Sequence, residues 1–196
     1  MPALQILLDD SQRIKTLDSL EMANLLRNFS GQLENALRIG GSFQIPASLR
    51  GDVNKILFVG LGGSAIGGDV IRSVVAEECP VPVLVARHYD LPPFVDENTL
   101  CIFSSYSGNT EETLSAFRQG LKTKAKKVVI TSGGELGKMS QKASIPWMKI
   151  PSGFPPRTAL GYSVFPLLKL LAALKLWKWN AAAVSETVSL LKTLAK

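Results

Sequence analysis

Histidine and cysteine are nearly missing from this chain: His88 stands alone, and Cys79 and Cys101 are the two cysteines. With no paired spacing and a single imidazole, the common His/Cys zinc arrangements are excluded, and a reducing cytoplasmic compartment fits the cysteine usage. A long uninterrupted apolar run is also lacking. The most apolar stretch, residues 162–179, is broken by Pro166, Lys169 and Lys175 and falls short of a membrane span. Residues 1–10 do not carry a basic stretch, an apolar core and a cleavage site in the order a secretory signal requires. Charge is not concentrated: 22 Lys+Arg against 16 Asp+Glu give a net +6, which suits an anionic ligand but does not establish a nucleic-acid partner. The densest basic cluster, Lys122, Lys124, Lys126 and Lys127, reads as a solvated helix C-terminus. Neither nucleic acid nor a membrane is expected as a partner, and no internal repeat or low-complexity segment is present.

What remains is the composition of one packed domain with an appendage: 196 residues, 46% hydrophobic, 19% charged, mean hydropathy +0.17. From Asp9 to Ile39 apolar residues recur at spacings of three and four, predicting two helices with a joint at Ser30-Gly31 and a stop at Gly40-Gly41. After Pro46 the pattern changes to short, continuously apolar runs separated by helical patterns. Residues 55–60, 81–86, 99–104, 127–131 and 146–150 read as buried strands, with helices over about 67–78, 109–121 and 136–143 and from 160 onward. Such alternation predicts an α/β sandwich around a parallel sheet covered on both faces.

In such a sheet ligands sit beyond the carboxyl ends of the strands. The first loop there, residues 60–68, is glycine-rich, so its backbone N–H groups can approach a ligand, and Ser64 adds a hydroxyl. The second, residues 104–110, brings the hydroxyls of Ser105, Ser107 and Thr110 to the start of a helix, where free N–H groups and the dipole hold a phosphate without any lysine. Capping by Ser107 or Asn109 accounts for one such side chain, not three hydroxyls around a glycine. A third loop, residues 131–135, reads equally as a plain strand-to-helix turn or as a ligand contact. In a fourth, residues 152–158, prolines stiffen a turn that carries Arg157, suited to charge developing on an oxygen or to a surface salt bridge. His88, after the second strand, reads as a polar loop residue.

With Gly-Leu-Gly-Gly-Ser at 60–64, Ser-Tyr-Ser-Gly-Asn-Thr at 105–110 followed by Glu111 and Glu112, and Pro156-Arg157, the chain resembles the bifunctional phosphoglucose/phosphomannose isomerases, a branch of the sugar-isomerase (SIS) domain proteins. The match runs from about residue 51 to 175. The resemblance implies a three-layer sandwich with a five-stranded parallel sheet of Rossmann/flavodoxin-like kind, made of an N-terminal helical arm (1–50) and a SIS phosphosugar-binding domain (51–196). It implies that Ser64, Ser105, Ser107 and Thr110 hold the sugar phosphate, that Gly62 and Gly63 lie at the substrate, and that Arg157 is the catalytic arginine at the reacting end. The implied reaction converts glucose 6-phosphate or mannose 6-phosphate to fructose 6-phosphate through an enediolate, in a cytoplasmic homodimer, with no metal and no organic cofactor.

Moving that proton needs a carboxylate base and a ring-opening acid. In the family the glutamate base follows this domain, the histidine comes from a neighbouring subunit, and a lysine lies near the far end. The sequence stops at Lys196, about where a linker to a second SIS domain would begin, so a fragment or truncated product that binds without turnover is expected. Ala65 stands where a family glycine is usual. Two other readings compete. The pattern Gly60-x-Gly62-x-x-Ala65 also fits a dinucleotide-binding oxidoreductase, which wants an acid at the end of the second strand, where Arg87-His88 stands. A non-catalytic phosphosugar-sensing module is the other, against which the N-terminal helices offer no concentrated basic recognition surface.

Overall fold

The computed structural model describes residues 10–195. Its strands form where the apolar runs are continuous, because a parallel sheet covered on both faces buries successive side chains in opposite directions. They are β1 (Lys55–Val59), β2 (Val83–Ala86), β3 (Thr99–Ser104), β4 (Lys126–Thr131) and β5 (Trp147–Lys149), all parallel, in the order β2-β1-β3-β4-β5. The helices are α1 (Ser11–Leu17), α2 (Met22–Arg27), α3 (Phe29–Ser42), α4 (Gly63–Val75), α5 (Glu111–Gly120), α6 (Gly134–Lys142), α7 (Leu160–Ala173) and α8 (Ala181–Leu194). Among the described residues no helix is long and apolar enough to cross a membrane.

Alternation along the strands divides the core in two. Ile56, Phe58, Leu100, Ile102, Val128 and Ile130 face α4 and α7, with Ala36 of α3 in the same cluster. Leu57, Val59, Cys101, Phe103 and Val129 face α5 and α6, where Phe103 meets Phe117 edge to face at 5.0 Å. Burial pushes the Cys101 thiol up to about 12. That thiol is therefore a core side chain and not a nucleophile.

The N-terminal segment departs from its expected division. Residues 1–9 lie outside the described residues, and the remainder forms three helical pieces whose breaks fall at residues 18–21 and at Asn28, not at Ser30-Gly31. Asp18 accepts from the N–H groups of Met22 and Ala23 at 2.7 and 2.8 Å and so starts the second piece. Helix α3 passes through Gly40-Gly41 instead of stopping there. A Cβ on Gly40 would lie 2.7 Å from the Pro166 backbone of α7, so this glycine permits close helix packing. The lysine cluster is corrected as well: α5 ends at Gly120, while Lys126 and Lys127 open β4.

Candidate functional site

The chain runs from β1 outward to β2 on one side and then crosses back to β3 on the other, so the crevice between β1 and β3 is the switch point of the sheet. The two strands approach closely at their carboxyl ends: a Cβ on Gly60 would lie 2.8 Å from the Ser104 carbonyl oxygen. The chain then turns at Gly62, with φ 54° and ψ −129°, and enters α4 at Gly63. That backbone geometry belongs to glycine. Helix α4 thus starts four residues before its expected beginning at Gly67, since packing overrides the poor helix propensity of Gly63.

The loop after β3 is built from its own hydroxyls. Ser105 is buried, its Oγ lies 2.9 Å from Thr110 Oγ1, and it accepts from the Gly108 N–H at 3.1 Å. Ser107 is exposed and accepts from the Asn109 N–H at 3.2 Å. Thr110 is extended at the start of α5 and no side chain caps that helix, which leaves its first-turn N–H groups without intrahelical partners. Within that turn Thr113 Oγ1 is buried with no hydrogen-bond partner. Ser64, reaching across from α4, accepts from the Tyr106 N–H at 3.2 Å. Ser64, Ser105, Ser107 and Thr110, far apart in two loops of the sequence, are therefore brought to one end of the sheet.

The loop after β4 supports this one. Ser132 donates through its N–H and its Oγ to the Tyr106 carbonyl, at 3.1 and 2.7 Å, and Asn109 Oδ1 accepts from the Glu135 N–H at 3.0 Å. Gly108, at φ 72°, lies so close that a Cβ there would overlap the Gly133 carbonyl. The hydroxyls of Thr131 and Ser132 are committed to these backbone groups, which favours the structural reading of the third loop.

Arg157 is exposed on a 3-10 turn, Pro156–Thr158, beside the first loop. A Cβ on Gly63 would lie 3.2 Å from the Pro156 carbonyl, and Gly63, Ile66, Pro156, Arg157 and Leu160 line a cleft of about 340 Å³. Two links that sequence reasoning missed hold this turn. Phe154 donates its N–H to Tyr106 Oη at 2.8 Å, and the buried Gln32 side chain of α3 donates to the Thr158 carbonyl and accepts from the Gly161 N–H, both at 2.8 Å. Their partners are dozens of residues away in sequence, so no local pattern could have shown them. Burial pushes the Tyr106 phenol up, keeping it protonated around neutral pH.

His88 lies in the exposed loop after β2, and neighbouring Tyr89 donates to Glu111 at 3.4 Å. Glu112, with Glu111 behind it, pushes the Tyr89 phenol up. Arg87 is ion-paired with Asp69 at the position where a dinucleotide site wants a carboxylate for the ribose hydroxyls.

A doubly wound α/β domain with a hydroxyl-lined, glycine-permitted crevice at its switch point is the class this fold and site define. The chain belongs to the SIS domain family, whose model matches residues 51–148. It is 44% identical over 85% of its length to a bifunctional phosphoglucose/phosphomannose isomerase of Caldicellulosiruptor bescii, covering 49% of that protein. It is 41% identical over 69% of its length to a protein of the same name from Thermoplasma volcanium, covering 41%. The chain thus spans about half the length of the curated relatives it matches, or less. Among solved structures, the C-terminal domain of glucosamine-fructose-6-phosphate aminotransferase from Francisella tularensis superimposes with a TM-score of 0.64 at 17% identity, over 87% of this chain and 53% of that one. That likeness shows the fold: an α/β sandwich with a five-stranded parallel sheet, as the alternating pattern predicted.

Proposed function

We propose that this chain is the phosphosugar-binding half of an aldose–ketose isomerase that interconverts glucose 6-phosphate, or mannose 6-phosphate, with fructose 6-phosphate. The observation that carries this reading is the placement of four hydroxyls and an uncapped helix N-terminus at the β1/β3 crevice, beside a cleft containing an arginine. The names of the curated relatives support it.

In this reading the phosphate sits against Ser64, Ser105, Ser107 and Thr110 and the first N–H groups of α5. Ser105 and Thr110, now bonded to each other, turn a hydroxyl toward the phosphate oxygens. Gly62 and Gly63 leave room for the sugar, and Arg157 is the catalytic group that offsets charge on the enediolate as a proton moves between neighbouring carbons. The step takes no metal and no organic cofactor. Residues 51–196 carry the site, with 1–50 as a helical arm against it. In the family that the chain resembles, the glutamate base follows this domain and the ring-opening histidine comes from a neighbouring subunit, so the role read for this half is substrate binding. Its setting is cytoplasmic carbohydrate metabolism, in glycolysis and gluconeogenesis, as a homodimer. Half-exposed Ile66 and Val74 on α4 supply apolar surface for that contact, next to an apolar groove of about 360 Å³ lined in part by Phe29, Val70, Leu168 and Trp177.

Calorimetric titration with glucose 6-phosphate, fructose 6-phosphate and unphosphorylated glucose tests the reading. Binding should require the phosphate and weaken about tenfold in Ser107→Ala, the equivalent of one charge-assisted hydrogen bond. Equal binding of glucose, or no binding of either phosphate ester, would sink it.

A further inference from the structure

Tyr106 occupies the centre of the site without being one of its hydroxyl-bearing serines or threonines, and it touches all four loops. Its N–H donates to Ser64 Oγ at 3.2 Å in the first loop. Its carbonyl accepts from the N–H and the Oγ of Ser132 in the third, at 3.1 and 2.7 Å. Its phenol oxygen accepts from the Phe154 N–H at 2.8 Å in the fourth, three residues before Arg157. The ring is half-buried, and Phe154 in turn stacks edge to face on Tyr162 of α7 with centroids 5.5 Å apart. Backbone groups of Tyr106 therefore fasten the loop that would receive the phosphate, while its side chain fastens the turn that would receive the far end of the sugar.

From this division of labour we infer that Tyr106 is a positioning residue that sets the distance between the phosphate cradle and the arginine turn, and thereby the preference for a hexose phosphate over phosphate alone. The inference rests on the phosphosugar reading of the site. An anion such as inorganic phosphate needs only the loop after β3 and Ser64. A six-carbon phosphate ester must also reach Gly63 and Arg157, so its affinity depends on where residues 154–157 stand relative to residues 105–110. Within that segment the Thr158 N–H donates to the Pro155 carbonyl at 2.9 Å, and Gln32 holds the Thr158 carbonyl from the other side. The turn itself is thus preserved when the phenol is lost. What changes is its register against the cradle.

Tyr106→Phe isolates the effect, since it removes the phenol oxygen and keeps the ring, the backbone bonds and the local packing. Affinities of wild type and variant for fructose 6-phosphate and for inorganic phosphate would be measured by calorimetry, with backbone amide exchange followed at Phe154. The expected result is a loss of about fivefold for fructose 6-phosphate, the scale of one hydrogen bond, a change of less than about twofold for inorganic phosphate, and faster exchange at Phe154. A parallel loss for both ligands would make Tyr106 a general structural residue and overturn the proposal while leaving the phosphosugar reading in place. An unchanged ratio with unchanged affinities would overturn it equally. Failure of the wild-type chain to bind either ligand would overturn the cradle itself, and the role of Tyr106 with it.

Discussion

The two ends of the sheet manage charge in opposite ways. At the amino ends of β1 and β4 stand Lys55, Lys126 and Lys127, each engaged with the protein. Lys55, opening β1, donates to Asp96 at 2.9 Å. Lys126 donates to the carbonyls of Asp52 and Glu97 at 2.7 and 2.9 Å, and Lys127 to those of Thr123 and Ala125 at 2.9 and 2.6 Å. Burial pulls the Lys127 ammonium down from its ordinary range. At the carboxyl ends of β1 and β3, where the anion is proposed to bind, neutral hydroxyls and backbone N–H groups gather instead, with exposed Arg157 beside them; further cations at this end, Arg87 after β2 and Lys149 ending β5, lie against Asp69 and the Trp147 ring. The net charge of +6 therefore says little about the ligand site. In the proposed reading, affinity for a phosphate comes from oriented hydroxyl and backbone dipoles and not from lysine ammonium groups.

The most direct way to break this contrast is Gly108→Ala. The new Cβ would overlap the Gly133 carbonyl, and the residue would have to keep φ 72°, so the loops after β3 and β4 must separate. A loss of ~2–4 kcal/mol follows, together with loss of phosphate-ester binding, while every lysine at the opposite end is untouched. Thermal unfolding and calorimetry on the same preparation check both. Retained affinity in a destabilised variant would show that the loop geometry is not what holds the phosphate.

Next in size is Gln32→Leu. The side chain is buried, so its replacement leaves the Thr158 carbonyl and the Gly161 N–H without their partner, at a cost of about 2–3 kcal/mol. Because Gln32 touches the arginine turn and not the loop after β3, fructose 6-phosphate should bind several-fold more weakly and inorganic phosphate as before. A melting curve with paired titrations reads this out. Equal weakening of both ligands would mean that the helical arm supports the whole carboxyl end and not the turn alone.

These two positions also mark how far the sequence could be read. Strands were legible because apolar residues, Cys101 included, run without interruption through the middle of Lys55–Val59, Thr99–Ser104 and Lys126–Thr131, and parallel order followed from the helices between them. The loops that carry the candidate site were legible because glycine and serine cluster where strand gives way to helix. Glycines inside helices misled: Gly40-Gly41 looked like a stop and Gly63 like loop, whereas one admits α7 and the other begins α4. The lysines of 122–127 looked like a helix end because the acceptors of Lys126 and Lys127 are backbone carbonyls, which sequence does not reveal. Tyr106 and Gln32 were invisible as supports for the same reason, since each acts on a group brought near only by the fold.

Lys126→Met sharpens the contrast from the other end. Its two carbonyl acceptors lie on an exposed surface, so about 1 kcal/mol of stability is at stake. Affinity for fructose 6-phosphate should stay within about twofold of wild type at both low and moderate salt. A steep, salt-dependent fall would place part of the anion's attraction at the amino end and undo the contrast.

The smallest effect concerns the Lys55–Asp96 pair. Hydrogen bonding from Lys55, with further bonds from Thr99 and the Asn98 N–H, holds the Asp96 carboxyl below its ordinary value of 3.8. A carboxyl whose pKa is lower in the folded state contributes stability that is present above its ordinary value and lost as pH falls through the folded one. Asp96→Asn keeps an oxygen for Thr99 and Asn98 and removes the charge, so it isolates the ion pair. The variant should melt slightly below wild type at neutral pH, and the gap should close as pH falls below about 4. Since the pair is only partly buried, with Asp96 the more open partner, high salt at neutral pH should narrow the gap as well. A gap that persists at low pH would mean that the side chain acts here through neutral hydrogen bonds and not through its charge. The amino end would then owe its order to the same neutral hydrogen bonding that arranges the opposite end.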